Sequence, residues 1–249
     1  MRVAVLGALG KMGSAVSAAV DGASDLALVG RLDAGDDPMD AVDAGAQVLV
    51  DFSVPAVSTV VVPQLAALGV HTVVGTTGWT ADDRGRLRAV LAAHPGVGCV
   101  IAPNFSVGAA LLMAFAERAA PHYESVEVVE LHHPDKVDAP SGTARATAVA
   151  VAAARASAGL PPSPDATVME EPGARGAVVD GVHVHAVRLR GLLAHEEVLL
   201  GTVGETLTLR HDTHDRASFM PGVLLAVRAV ATRPGLTEGL APLLDLDLR

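Results

Sequence analysis

The chain has 249 residues, of which 50% are apolar and only 2% aromatic, and its 18 basic against 28 acidic side chains give a formal charge of −10. That excess of acid argues against a nucleic-acid partner, which needs clustered base, and the apolar fraction excludes a disordered chain. Sixteen of the bases are arginines, and lysine occurs only at positions 11 and 136.

Short apolar runs at 3–6, 26–29, 48–52, 72–74 and 97–101 read as buried strands. Between them, 11–20, 57–68 and 82–93 carry helical spacing, with Pro55 and Thr80 placed where helices begin. Unbroken apolar strands alternating with helices predict a parallel sheet covered on both faces. After Asn104 the pattern changes: 108–120 is helical, 125–131 alternates as a strand, and a polar loop follows. Ser141 then opens an alanine-rich helix that runs to about Ala158 and stops at Gly159. Strands are expected around 181–190, 196–202 and 205–210, then an apolar helical tail at 217–231, broken by Pro221-Gly222, that returns to the first domain. The expected fold is α/β: a Rossmann-like doubly wound parallel sheet plus a second α+β domain with a mixed sheet. The first domain takes residues 1–106 and 216–249, and the second takes 107–215.

No apolar stretch reaches the roughly 18–20 residues of a spanning helix. The N-terminal run breaks at Gly7 and lacks a cleavage pattern, so it reads as a strand rather than a signal peptide. The single cysteine, Cys99, cannot form an internal disulfide and reads as a small core residue. A reducing cytoplasm is the expected setting.

Gly7, Gly10 and Gly13 follow the first strand and open the first helix. Such glycines let backbone N–H groups approach a pyrophosphate at a helix N-terminus. The spacing is GxxGxxG rather than GxGxxG, but an acid stands where ribose hydroxyls need one: Asp33, 20 residues beyond Gly13. Asp33 disfavours a 2′-phosphate, whereas Lys11 and Arg31 are placed to offset that repulsion, so both NADH and NADPH are expected. Gly75-Thr76-Thr77 and Ala102-Pro103-Asn104-Phe105 follow the fourth and fifth strands, where ligands of open α/β sheets bind. Asn104 offers the donor and acceptor that a carboxamide requires, although ordinary turn chemistry accounts for both segments equally well.

The densest polar segment is ELHHPDKVDAPSGTA, residues 130–144. His132, His133 and Lys136 can exchange protons near neutral pH, and Ser141-Gly142-Thr143 form a helix start that favours an anion. A small carboxylate-bearing substrate fits that set. A metal does not, because adjacent histidines cannot easily share one and no third ligand has zinc spacing. A solvated loop remains the bland alternative, and capping is the better reading of Ser141. Glu127 and Glu130 read as strand residues with structural or surface roles.

GALGKMG at the start, GTTGW at 75–79, APNF at 102–105 and ELHHPDKVDAPSGTA at 130–144 together resemble the dihydrodipicolinate reductase family. The resemblance runs on through PGARG (172–176), HAVRLRGLLAHEEVLLGT (185–202) and SFMPGVLLAV (218–227). It implies reduction of 4-hydroxy-tetrahydrodipicolinate by NADH or NADPH in lysine/diaminopimelate biosynthesis, with loss of the 4-hydroxyl as water. By resemblance His132 is the acid/base residue, Lys136 the proton donor, and His133 with Gly142 and Thr143 the holder of the substrate carboxylates. Gly7, Ala8, Leu9, Gly10, Lys11, Met12, Asp33, Gly75, Thr76, Thr77, Ala102, Pro103, Asn104 and Phe105 would contact the dinucleotide. A homotetramer built through the second-domain sheet is also implied, and closure about hinges near 104–107 and 215 is expected. Ala34 departs from family members that carry arginine there, which weakens the case for strict NADPH preference. Two alternatives stand beside this reading. One is another Rossmann-type imine or carbonyl reductase of a small dicarboxylate. The other is a non-catalytic dinucleotide sensor, which would not need the histidine–lysine loop.

Overall fold

Apolar runs with no polar alternation form the strands of a six-stranded parallel sheet in the computed structural model, which describes residues 1–246. The strands are β1 (Arg2–Leu6), β2 (Ala27–Leu32), β3 (Val48–Asp51), β4 (His71–Val74), β5 (Gly98–Ile101) and β11 (Gly235–Glu238), in the order β11-β5-β4-β3-β1-β2. The chain leaves β1 towards β2 and then returns to β1's other side with β3. The turns after β1 and β3 therefore diverge, which opens a crevice at their carboxyl ends. The helices of this unit are α1 (Lys11–Asp21), the short α2 (Asp40–Asp43), α3 (Pro55–Ala67), α4 (Ala81–Ala93) and α7 (Met220–Val230). Pro55 sits in the first turn of α3, and Thr80 caps α4 in a reciprocal box with Asp83. Apolar residues all round α3 feed two clusters. Val61 and Leu65 join Ala4, Leu6 and Leu49, while Val62 and Ala66 join Val74, Leu87 and Ile101.

Two features of this unit differ from expectation. Pro221-Gly222 does not break the last helix. Pro221 lies in the first turn of α7, where its missing N–H costs nothing, and a Cβ at Gly222 would lie 2.0 Å from the Phe105 carbonyl oxygen. The edge strand β11 was not expected, because GLTE is short and half polar; it pairs in parallel with β5 from Gly235↔Gly98 to Glu238↔Ile101. Cys99 is fully buried, and desolvation pushes its thiol up to about 12.

Residues 1–107 with 216–246 form one compact unit, and residues 108–215 form the other; positions 247–249, which the expected first domain included, lie outside the described residues. The second unit holds a mixed sheet in the order β10-β9-β6-β8-β7. Its strands are β6 (Ser125–His132), β7 (Ala177–Val179), β8 (Val182–Arg188), β9 (Ala194–Thr202) and β10 (Glu205–Thr213). β6 and β8 run parallel, and the other pairs are antiparallel. Val126 and Val128 of β6 face the small residues Ala144, Ala148 and Val151 of α6 (Gly142–Ser157), joined by Leu112 and Ala116 of α5 (Val107–Ala119). The same parity carries Glu130 onto this covered face, two residues beyond Val128. Among the described residues, no helix is long and apolar enough to cross a membrane.

Candidate active site

The glycine turn after β1 is shaped by sterics. Gly7 has φ +79°, and a Cβ there would lie 2.6 Å from the Phe52 carbonyl oxygen. A Cβ on Gly13 would meet the Gly7 carbonyl oxygen at 1.9 Å, so this glycine sets how closely α1 packs on the turn. Gly10 occupies the N-cap position of α1 and supplies no side-chain cap, which leaves the first-turn N–H groups to an anion. The backbone is held by the Gly7 and Ala8 N–H groups, which donate to the Leu32 carbonyl at 2.8 and 3.0 Å. Asp33 braces the turn from the next strand end. It accepts the Leu9 N–H at 2.7 Å and the Ala34 N–H at 2.8 Å, and these two bonds, Ala34 first, hold its carboxyl below the ordinary value.

A cavity of about 300 Å³ lies over Gly7, Gly10 and Asp33 and reaches Phe52, Ser53 and Val54. A second, of about 250 Å³, lies over Met12, Gly75 and Asn104 and shares Phe52 with the first. Phe52 was not singled out in the sequence. Its ring explains Gly75, where a Cβ would lie 2.1 Å from the Phe52 Cε1, and it packs on Phe105 at 5.8 Å between centroids. Buried Asp51 fixes this loop by accepting from the Ser53 N–H at 2.9 Å and from the Ser58 hydroxyl, to which the Trp79 indole donates at 3.1 Å. Thr76 is buried, and its hydroxyl has no partner among the described residues. Asn104 Oδ1 already accepts the Ser106 N–H at 2.8 Å. Ala8, Ala102 and Phe105 are almost wholly buried, so they can offer a ligand little beyond backbone atoms or a ring edge. Thr77 and Pro103 are exposed at their strand ends. Arg31 is committed to Asp21, whereas exposed Lys11 makes no ion pair among the described residues.

In the second unit, Glu130 is a strand residue as expected, and of its two expected roles the structure excludes the surface one: it is fully buried and is the hub of the polar end of β6. It accepts from Arg188 through both guanidinium nitrogens, at 2.7 Å to Oε2 and 2.8 Å to Oε1. The Ser141 N–H donates to Oε1 at 3.0 Å, and His132 Nδ1 stands 2.5 Å from Oε2. Desolvation pushes this carboxyl up, but His132, Arg188 and the Ser141 N–H outweigh it and bring it down to about 2. A carboxylate on Nδ1 selects the imidazole tautomer with its proton there, so Nε2 is the nitrogen left for chemistry. Arg188 also donates to the Asp138 carbonyl at 2.7 Å and so ties the loop to β8.

Lys136 donates to Asp138 Oδ1 at 2.6 Å, a pairing that depresses Asp138. The ring of His133 makes no hydrogen bond among the described residues. Ser141 caps α6 by accepting the Ala144 N–H at 3.1 Å. Gly142 and Thr143 form the first turn of that helix. The structure thus gathers His132, His133, Lys136, Gly142 and Thr143 at one end of the second unit, and it adds Glu130, Arg188 and Asp138. A roomier cavity of about 410 Å³ lies at the opposite end of β6, beside Tyr123, Leu160 and Arg155. It holds no comparable chemistry, because Arg155 is spent on the carbonyls of Tyr123, Glu124 and Pro161.

A parallel sheet wound in this order, with an uncapped helix after its first strand and an acid after its second, is the fold of dinucleotide-dependent dehydrogenases and reductases. The chain belongs to the dihydrodipicolinate reductase family: the model of the family's N-terminus matches residues 1–105, and that of its C-terminus matches residues 108–244. The 4-hydroxy-tetrahydrodipicolinate reductases of Streptomyces coelicolor and Cutibacterium acnes are each 58% identical to it over 247 residues, covering 99% of this chain and 99% and 100% of theirs. The solved structure of dipicolinate-bound dihydrodipicolinate reductase from Paenisporosarcina sp. TG-14 is 33% identical, with a TM-score of 0.85 over 97% of this chain and 98% of that one. An engineered D-amino acid dehydrogenase bound to NADP+ shares the fold alone, at 18% identity and a TM-score of 0.57 over 99% of this chain and 96% of its own.

Proposed function

We infer that this chain reduces 4-hydroxy-tetrahydrodipicolinate to tetrahydrodipicolinate, with NADH or NADPH as reductant, in lysine/diaminopimelate biosynthesis. The observation that carries the reading is the family match over both units of a chain whose His132-His133-Lys136 loop is intact. The first unit fits a dinucleotide. Its glycine turn is open to a pyrophosphate, Asp33 stands by for ribose hydroxyls, and the buried Thr76 hydroxyl awaits a partner. When bound there, the reduced nicotinamide supplies the hydride. Asp33 favours NADH, and Lys11, with no ion pair among the described residues, makes the 2′-phosphate of NADPH tolerable.

The second unit handles the substrate and the proton. His133 and the N–H groups of Gly142 and Thr143 hold a carboxylate at the start of α6. Reduction of a conjugated cyclic imine leaves negative charge that a proton must quench. Lys136 delivers it, and Asp138 keeps the ammonium in place until the substrate's own carboxylate competes for it. His132, fixed through Nδ1 by Glu130, exchanges protons through Nε2. General-acid help of this kind is worth about 10²–10⁴ in rate. The sheet of the second unit is also the proposed homotetramer surface, and a reducing cytoplasm the proposed setting.

Loss of reduced-nicotinamide absorbance with freshly made synthase product tests the reading. Lys136→Ala is expected to lower kcat at least a hundredfold, and a near-normal kcat would refute the role of Lys136. No turnover by the unmodified protein with either cofactor would refute the function. Dipicolinate should also raise the unfolding temperature in the presence of NADH.

A further inference from the structure

Glu196 lies directly across from Glu130 on the neighbouring antiparallel strand β9. Both carboxyls are buried, with 5% and 0% of their residues' surface exposed. Like charges opposed in this way repel, and without water little screens them. The compensating groups are shared unequally. Glu130 holds Arg188, His132 and the Ser141 N–H, while Glu196 makes no ion pair among the described residues. Its contact is the Thr147 hydroxyl of α6, with Oγ1 2.6 Å from Oε1.

That hydroxyl also lies 3.2 Å from the carbonyl oxygen of Thr143. A hydroxyl has one proton, and a carbonyl can only accept. Both contacts are satisfied together when Glu196 carries a proton and donates it to Thr147, which then donates to Thr143. The other titratable neighbours leave this state undisturbed. His211 of β10 is the Cα partner of Glu196, and desolvation pushes its imidazole down, towards the neutral form. His195 and Glu197, beside Glu196 on β9, point to the opposite face, where they meet Asp212 and Arg210. Burial pushes Glu196 up to about 7; Thr147 opposes the shift and the Glu130 charge adds to it.

We propose that Glu196 serves the reaction as a neutral carboxylic acid and is a positioning residue: through Thr147 it fixes the first turn of α6 at Thr143, and among the described residues it leaves Glu130, paired with Arg188, the one carboxylate charge beneath His132. The proposal rests on the roles given above to His132 and Thr143. Once Glu196 ionises, the Thr147 hydroxyl turns from Thr143 to the carboxylate. A second negative charge then stands under a site that must hold a dicarboxylate, so substrate affinity falls more than turnover does.

The test compares the unmodified enzyme with Glu196→Gln and Glu196→Ala, measuring kcat and KM from pH 6 to 9. Glutamine keeps the donor to Thr147 and cannot ionise. At pH 6 its kcat/KM should fall less than threefold, against tenfold or more for alanine. The ratio of unmodified to glutamine-variant KM should rise about tenfold between pH 6 and 9, with kcat ratios moving less than threefold. NMR of protein carrying 13C-labelled glutamate, which needs no turnover, should show one carboxyl titrating near neutrality and absent from the glutamine variant. A KM ratio that stays flat with pH, or no such carboxyl, would overturn the proposal. If the unmodified protein fails to turn over, the assigned reaction falls. The NMR titration, with dipicolinate affinity measured over the same pH range, then decides the role of Glu196.

Discussion

The role proposed for His132 depends on residues behind it. Glu130 holds Nδ1, and Arg188 with the Ser141 N–H keeps Glu130 charged in a place where water cannot. Replacing Glu130 by Gln keeps the shape and removes the charge that selects the tautomer. The expected result is a fall in kcat of about 10²-fold, within the range of general acid–base help, with a smaller change in KM. Steady-state kinetics would check it. The acid side follows from the depressed carboxyl. Glu130 is ionised down to about pH 2, so the stability it contributes is fully present above the ordinary carboxylate value of 4.5 and is lost progressively as pH falls from there through about 2. These partners could not be seen in the sequence, whereas the loop itself could. His132, His133 and Lys136 lie within five positions of one another, but Arg188 is 58 residues from Glu130 and meets it only because β8 pairs with β6.

Elements carry the next level of constraint. A Cβ on Gly13 would lie 1.9 Å from the Gly7 carbonyl oxygen, a backbone atom that cannot swing away, while one on Gly10 would lie 3.2 Å from the same oxygen. Gly13→Ala is therefore expected to push α1 off the turn and to lower stability by about 2–3 kcal/mol, an overpacking cost. Gly10→Ala should cost under about 1 kcal/mol while raising KM for the dinucleotide. Urea unfolding of the two variants would separate them. In the second unit, Glu196 has a folded-state pKa of about 7 against an ordinary 4.5, so the folded protein binds the extra proton. Stability then falls as pH rises from 4.5 to 7 and levels off above, by about 3 kcal/mol in total. Glu196→Gln should be more stable than the unmodified chain by about that amount at pH 8 and no different at pH 4.5, as thermal melts would show. The strands and helices were legible where period and caps agree, as at Thr80 with Asp83. They were not legible where tertiary pairing alone makes the element. β7 is three residues long, and β11 contributes one leucine to a sheet edge that β5 supplies. Glu196 and Glu197 are indistinguishable in the sequence, and only strand parity sends one inside.

At the scale of the whole molecule, the proposed function has a chain of charge −10 hold an anionic cofactor and substrate by backbone N–H groups and a few local cations rather than by its total charge. Each unit carries one of the two lysines: Lys11 at the start of α1, and Lys136 in the loop between β6 and α6. The two ligands should therefore protect separate stretches of backbone. In hydrogen exchange, NADH alone is expected to slow amides at positions 7–12 and 75–77. Dipicolinate alone is expected to slow those at 142–144. Protection appearing in the other unit's stretch under either single ligand would contradict this division of labour.

The first unit is discontinuous in sequence. Its sheet edge β11 and the helix α7, which packs on β4 and β5, come from residues beyond 215. A Cβ on Gly98 would lie 2.1 Å from the carbonyl oxygen of Val230, so the end of α7 seats directly on the start of β5. During translation at about 5–20 residues per second, roughly 5–25 s separate the emergence of β5 from that of α7. The second unit is synthesised over that interval, and its last residue before α7, Asp215, precedes the start of that helix by only five positions. The first five strands must wait with an apolar face and an open edge uncovered. The nascent first half is thus expected to be the aggregation-prone stretch of this chain until its last helix arrives.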